Sequence, residues 1–115
     1  MRPTRAILLV EPDAGCGRAL ARLVRRSGVR VRLVRTPRAA LGAAEREAYD
    51  AAVVDLLVTG GGVDLARRLT RRVSRVYLSV GPRLLGDELV EAAVGFPVLR
   101  KKALQELFAT RHSRK

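Results

Sequence analysis

Five short apolar runs recur along the chain, separated by stretches of helical hydrophobic spacing, and that alternation restricts the fold to repeated βα units. Ala6–Val10 reads as a buried strand, 18–26 as a helix with Leu20, Leu23 and Val24 turned inward, and 29–34 as a second strand. In that second strand Val29, Val31 and Leu33 share one face and Arg30 and Arg32 the other, as suits a sheet edge guarded by charge. Gly28 stops the helix before it. Pro37–Arg46 reads as a helix whose proline fits a first turn, and 51–56 as a third strand. Gly60, Gly61 and Gly62 form a flexible turn, and 63–73 follows as a helix with Leu65, Leu69 and Val73 on one face and arginines on the other. A strand at 76–80, a helix at 86–94, a short strand at 97–99 and a closing amphipathic helix at 102–110 complete five units. Parallel strands joined by right-handed crossovers make an open α/β sheet with helices on both faces, and ligands of such sheets sit at the carboxyl ends of the strands.

Composition narrows the class further. A chain of 115 residues buries about 65% of the surface its unfolded form exposes, enough for one core without metal or disulfide staples. Cys16 is the single cysteine, so no internal disulfide exists and a reducing cytoplasm is the simplest home. The apolar run at the start ends at Glu11, too short to span a membrane and without the cleavage region of a signal peptide. A single domain over 4–111 is expected, with a short basic tail at 112–115.

The net charge of +12 rests on 23 basic residues, of which only Lys101, Lys102 and Lys115 are lysines. A GC-rich coding bias explains such an arginine excess blandly; a surface for phosphates or an acidic partner explains it sharply. The distribution is uneven. Arg18, Arg22, Arg25, Arg26, Arg30, Arg32, Arg35 and Arg38 form one run and Arg67, Arg68, Arg71, Arg72 and Arg75 another, with no acid inside either. On a helix through 73, Arg67, Arg68, Arg71 and Arg72 gather into one outer stripe, which is either a solvated face or a grip on phosphates or an acidic protein. With no Trp, two Tyr and two Phe, the chain lacks the aromatic platforms of single-strand binders, and it has no zinc-finger spacing.

The polar residues at the strand ends are Glu11 and Asp13 after the first strand, Asp55 at the third, Ser79 at the fourth and Lys101 at the fifth. With the phrases ILLVEPD, YDAAVVDLL, GVDLARRL, VYLSV and VLRKKALQEL in this order, the chain resembles the response-regulator receiver domain, the chemotaxis-type module of bacterial two-component signalling. The resemblance spans nearly the whole chain. It implies a flavodoxin-like five-stranded parallel sheet in the order 2-1-3-4-5. It further implies Asp55 as phosphoacceptor, Glu11 and Asp55 in an acidic magnesium site, Ser79 as switch hydroxyl and Lys101 as the phosphate-pairing lysine. The chemistry fits those residue types: a carboxylate attacks a phosphoryl group to give an acyl phosphate, and cationic groups cancel the repulsion between the two anions.

Departures from the family pattern fall on that site. Pro12 stands where the family carries a second acid, which weakens the Mg²⁺ site; Asp13 either compensates or caps the first helix. Val98 replaces the switch aromatic, Lys102 replaces the proline after the lysine, and the loop after Asp55 carries neither the usual Pro nor Asp. The stretch from that loop to the fourth strand is about one helical turn short.

Each site residue also has a plainer reading. Asp55 caps the following loop, Glu11 and Lys101 form a structural ion pair tying two strand ends, and Ser79 satisfies local backbone groups. The triple glycine lacks the Lys-Ser or Lys-Thr of a phosphate-binding loop, so nucleotide binding is rejected. Cys16 reads as a packing residue and His112 as a solvated one. The expected function is a stand-alone atypical receiver that acts as a signalling protein-interaction module, with phosphorylation at Asp55 weakened or lost. Its partner would be a histidine kinase or a downstream regulator, or a second copy of the chain, met through a face including Leu84, Leu85, Val98 and Leu104. The alternatives are a working phosphoacceptor with a Mg²⁺-dependent switch, and a basic nucleic-acid-associated protein on the same scaffold. A phosphatase or phosphotransferase has little support, because no spare base or nucleophile accompanies Asp55.

Overall fold

The computed structural model describes residues 4–81, 95–104 and 106–108. Its elements are β1 (Ala6–Val10), α1 (Ala14–Arg25), β2 (Arg30–Val34), α2 (Pro37–Arg46), β3 (Ala51–Asp55), α3 (Gly62–Leu69), β4 (Arg75–Val80) and β5 (Val98–Arg100). A 3₁₀ turn, Lys101–Ala103, leads into a closing helical segment. The helix expected at 86–94, with Leu84 and Leu85, and the tail at 112–115 lie outside the described residues.

All five strands are parallel, in the order β2-β1-β3-β4-β5. β1 and β3 are buried at every position, the pattern of strands covered on both faces, whereas β2 alternates at the edge with Arg30 and Arg32 exposed. Alternation sorts the core into two layers. Leu8, Val10, Ala52 and Val54 meet the apolar faces of α2 and α3; Ile7, Leu9, Ala51 and Val53 meet α1 and the closing segment.

The helix boundaries depart from the hydrophobic pattern for local reasons. α1 begins four residues earlier than its apolar period, because the Asp13 side chain accepts a hydrogen bond from the Cys16 N–H at 2.8 Å and starts the helix across Gly15 and Gly17. Its buried face is Gly17, Leu20, Ala21 and Val24, with Leu23 only half-buried. α3 ends at Leu69, not at 73: the Thr70 hydroxyl donates to the Arg67 carbonyl, and the chain turns through Arg71 and Arg72 before Val73 returns to the core. β5 is displaced by one residue and ends at Arg100, so Lys101 starts the turn directly after it.

The glycine loop is a shaped bend, not the loose turn its composition suggests. Gly60 and Gly61 take left-handed backbone angles of 88° and 96°. At Gly62 a Cβ would stand 2.5 Å from the Asp55 carbonyl oxygen and 2.8 Å from Leu56 Cα, so only glycine lets α3 start this close to the end of β3. Gly62→Ala is expected to lower stability by about 1–3 kcal/mol in urea unfolding at unchanged m-value; a change within about 0.5 kcal/mol would show that the loop yields.

Candidate functional site

The strand order reverses between β1 and β3, and the two buried acids stand on either side of that point. Glu11 follows β1 and donates its N–H to the Val34 carbonyl of the neighbouring edge strand at 3.0 Å, while Asp55 is the last residue of β3. Crevices at such switch points are where open α/β sheets bind ligands. Asp55 pairs in register with Ser79 of β4, and Ser79 with Leu99 of β5, so three sequence-expected residues, Glu11, Asp55 and Ser79, converge at the carboxyl edge of the sheet.

Lys101 joins them. Its Nζ lies 2.7 Å from Glu11 Oε1 and 2.8 Å from Asp55 Oδ1. The plain reading of Glu11 and Lys101 as a strand-tying ion pair and the family reading of Lys101 beside Asp55 are therefore both realised by one ammonium. The lysine reaches this position because the closing segment is anchored just beyond it. Leu104 and Phe108 are buried against the α1 layer, and the Phe108 ring meets Tyr77 of β4 edge-on, with centroids 6.4 Å apart. Burial works against a charged lysine, but hydrogen bonds and charge from Asp55 and Glu11 outweigh it and raise the Lys101 pKa well above its ordinary value.

The remaining oxygens are also engaged. Asp55 Oδ2 accepts the Leu57 N–H at 3.0 Å, and Glu11 Oε2 accepts the Asp13 N–H at 3.1 Å. The Cys16 thiol lies 3.7 Å from Glu11 Oε1; burial first, and the Glu11 carboxylate second, raise its pKa, so it sits beside the site as a neutral packing group. Ser79 is the exception. Its side-chain oxygen is buried without a hydrogen-bond partner among the described residues, although its carbonyl accepts the Leu56 N–H.

The carboxylates that would hold a divalent cation here are Glu11 and Asp55. Magnesium demands several oxygen ligands in near-octahedral geometry, and here the two inner carboxylates already share an ammonium. Pro12 supplies no carboxylate, and its carbonyl accepts from Arg35 Nε at 3.2 Å. Asp13 caps α1 with one oxygen, and no group of three or more acidic, histidine or cysteine side chains suited to a metal occurs among the described residues.

Other expected residues fall differently. Leu104 is only 1% exposed and belongs to the core, so it is not available to a partner; Val98 is half-buried against the α2 and α3 layer. Arg67 and Arg68 are exposed in the last turn of α3, but Arg71 and Arg72 lie on the turn beyond it, so the four do not make one helical stripe. The site also depends on residues to which sequence reasoning gave no such role. Gly17 lets α1 close over β2 and Glu11, since a Cβ there would stand 2.9 Å from Leu33 Cδ1 and 3.3 Å from Glu11 Cγ. The Leu57 N–H holds Asp55. Its signal was absent from composition, since any residue but proline donates that bond, whereas glycine six or seven positions after an acid at a strand end was visible and unweighed.

An open parallel sheet with two acids and a lysine at its switch point defines the class of the molecule, and known structures narrow it. No protein-family model and no curated protein matches the sequence. The fold matches a CheY-like response regulator receiver domain protein from Methanospirillum hungatei JF-1, with a TM-score of 0.75 at 16% identity over 95% of this chain and 94% of that one. A receiver protein from Burkholderia phymatum matches with a TM-score of 0.72 at 25% identity, over 90% of this chain and 88% of its own. A response regulator from Burkholderia pseudomallei, whose structure holds a phosphorylated aspartic acid, a calcium ion and citrate, matches with a TM-score of 0.77 at 22% identity, over 94% of this chain and 66% of its own. The chain therefore has the fold of response-regulator receiver domains. No helix among the described residues is long and apolar enough to cross a membrane.

The Lys101 contacts carry a testable energy. Lys101→Met strands two buried carboxylates and is expected to lower stability by about 3–5 kcal/mol at neutral pH. Because folding raises the Lys101 pKa, its stabilisation is complete below the unfolded lysine value of about 10.4 and is lost as pH rises toward the folded value. The gap between wild type and variant in urea unfolding should therefore narrow above about pH 10.4; a gap independent of pH would assign the loss to packing alone.

Proposed function

We propose that this chain is a signalling receiver module that works through protein interaction, with phosphoryl acceptance at Asp55 weakened or lost. The observation that carries this is the Lys101 ammonium lodged between Glu11 and Asp55 at 2.7 and 2.8 Å, beside a proline that brings no carboxylate. In phosphoryl transfer to an aspartate, a carboxylate oxygen forms the new P–O bond while the donor's bond to phosphorus breaks and the donor leaves with its electron pair. Both partners are anionic, so the step depends on cationic stabilisation. Here, among the described residues, Lys101 is the cation in contact with both acids. It is also already committed to two carboxylates, and each Asp55 oxygen is held, one by the ammonium and one by the Leu57 N–H.

In this reading the domain occupies one binding state, and regulation lies in its abundance or its partner. The partner is a signalling protein, either a histidine kinase or a downstream regulator, or a second copy of the chain. Val98, with Leu84 and Leu85 from the sequence, remains a candidate for the meeting face.

A second reading, a working phosphoacceptor, is favoured by one observation. Ser79 presents a buried hydroxyl with no partner among the described residues, one strand from Asp55 and in register with it. Such a group stands ready to donate to a phosphoryl oxygen. Titration of the amide NMR spectrum with magnesium and then beryllofluoride separates the two, with Asp55→Asn alongside. The expected result is little change at Glu11, Asp55, Ser79 and Lys101 at millimolar magnesium. Saturable shifts at those four positions that vanish in the variant would overturn the first reading and establish the second.

A further inference from the structure

We propose that the α1–β2 edge binds the phosphate backbone of double-stranded nucleic acid, without reading its bases. This stands apart from the Asp55 site and does not depend on whether that site accepts a phosphoryl group.

Residues 14–44 contain no acid, and the fold places several arginines of that run on α1 and the edge strand β2. Arg18 and Arg22 are exposed along α1 and Arg26 at the cap that follows it, and Arg30 and Arg32 are exposed on the adjoining edge strand. Four residues of helix rise about 6 Å, so α1 offers a guanidinium once per turn over a helix about 18 Å long. That repeat suits a polymer of anions better than a single one. Of these five, Arg32 pairs with the exposed Glu47 at 3.7 Å and Arg30 also feels that carboxylate's charge; Arg18, Arg22 and Arg26 have no acidic partner among the described residues.

The shape of the surface agrees. Two open grooves flank Arg25: one of about 410 Å³ with Leu33 at its base and α1 arginines around it, and one of about 640 Å³ reaching Tyr49 and Glu47. Neither encloses a small molecule.

Several features decide between an acidic protein and a nucleic acid. Protein interfaces draw most of their energy from buried aromatic and apolar anchors. Leu57, 74% exposed, is the exposed large apolar residue among those described, and it lies in the loop after β3; the apolar residues open on the α1–β2 edge, Leu23, Leu33 and Val34, are each half-buried. A strand from a partner would also have to displace Arg25, whose guanidinium donates to the outward Val31 carbonyl at 2.8 Å and guards the edge. Phosphate contact needs neither anchor nor free strand edge. Guanidinium groups meet phosphates through paired donors, and Tyr and Phe are too few for base stacking, so a duplex fits better than a single strand.

Fluorescence anisotropy of the full chain with a labelled 24-base-pair duplex of random sequence, at several salt concentrations, tests this. With about four phosphates neutralised, log K should fall with log salt at a slope of about −3.6. The variant Arg18→Ala/Arg22→Ala/Arg26→Ala should flatten the slope by about 2.7, whereas Arg67→Ala/Arg68→Ala/Arg71→Ala, which removes the same charge from α3 and the turn after it, should leave it within about 1 of wild type. Equal thermal midpoints, checked first, confirm folding; Arg25 is left intact because it supports β2. Equal effects of the two triple variants would overturn the proposal by reducing binding to net charge. Tighter binding of a labelled poly-glutamate of equal charge than of the duplex would overturn it in favour of an acidic protein, and no binding at low salt would overturn it outright.

Discussion

One ammonium group ties the carboxyl edge of this sheet together. Lys101 leaves β5, crosses to Asp55 at the end of β3 and reaches Glu11 after β1, so strands that are not all neighbours share one ionic contact. Removing a charge of this kind is costly because the partners cannot return to water; Glu11 is 2% exposed. The contact is nonetheless asymmetric. Two carboxylates compete for one cation, and the surplus is met by backbone N–H groups of Asp13 and Leu57, each fixed by the turn that follows its acid. The site is a balanced electrostatic unit before any ligand is considered.

Glycine permits two close approaches around that unit. Gly17 brings α1 over the side chains of Leu33 and Glu11, and Gly62 brings the first turn of α3 against the carbonyl of Asp55. A side chain at Gly62 would meet backbone and push α3 outward, whereas one at Gly17 would press first on the Leu33 side chain. The dense apolar layers supply the opposing force. β1 and β3 are filled on both faces by Val, Leu, Ile and Ala, so the strand ends do not shift to accommodate an error in the loops. Precision at the polar edge is thus inherited from packing in the middle.

These two kinds of information were unequally legible in the sequence. Strand number, parallel pairing and the charged edge followed from the apolar runs and from the alternation of Val29, Val31 and Leu33 with Arg30 and Arg32. Family resemblance added the strand order and the meeting of Glu11, Asp55, Ser79 and Lys101 at one edge. Helix limits were harder, because they are set by single hydrogen bonds and not by periodicity. The Asp13 cap starts α1 early, and the turn after Thr70 ends α3 short, which separates Arg71 and Arg72 from the helix carrying Arg67 and Arg68. Leu104 was misassigned to a partner surface for a related reason: its helical spacing marks an inward face, and only the tertiary arrangement shows that this face is filled by α1 and β4. The double contact of Lys101 lies beyond pattern altogether, since the sequence pairs it with Glu11 or with Asp55 and the geometry permits both at once.

The two charge features of the molecule act over different ranges, which keeps their roles separable. Exposed arginines on the α1–β2 edge face bulk water, where ions screen them within about 10 Å at 0.1 M salt. They govern what approaches the surface, and their influence declines as salt rises. Lys101 acts at contact distance inside a site from which solvent is largely excluded, its side chain only 19% exposed, so salt reaches it weakly. A net charge of +12 therefore does not replace the acid absent at Pro12. A missing carboxylate removes a ligand of fixed geometry, which charge spread over a distant surface does not restore. The same chain can thus draw anions to its edge while holding its buried acids closed around their own lysine.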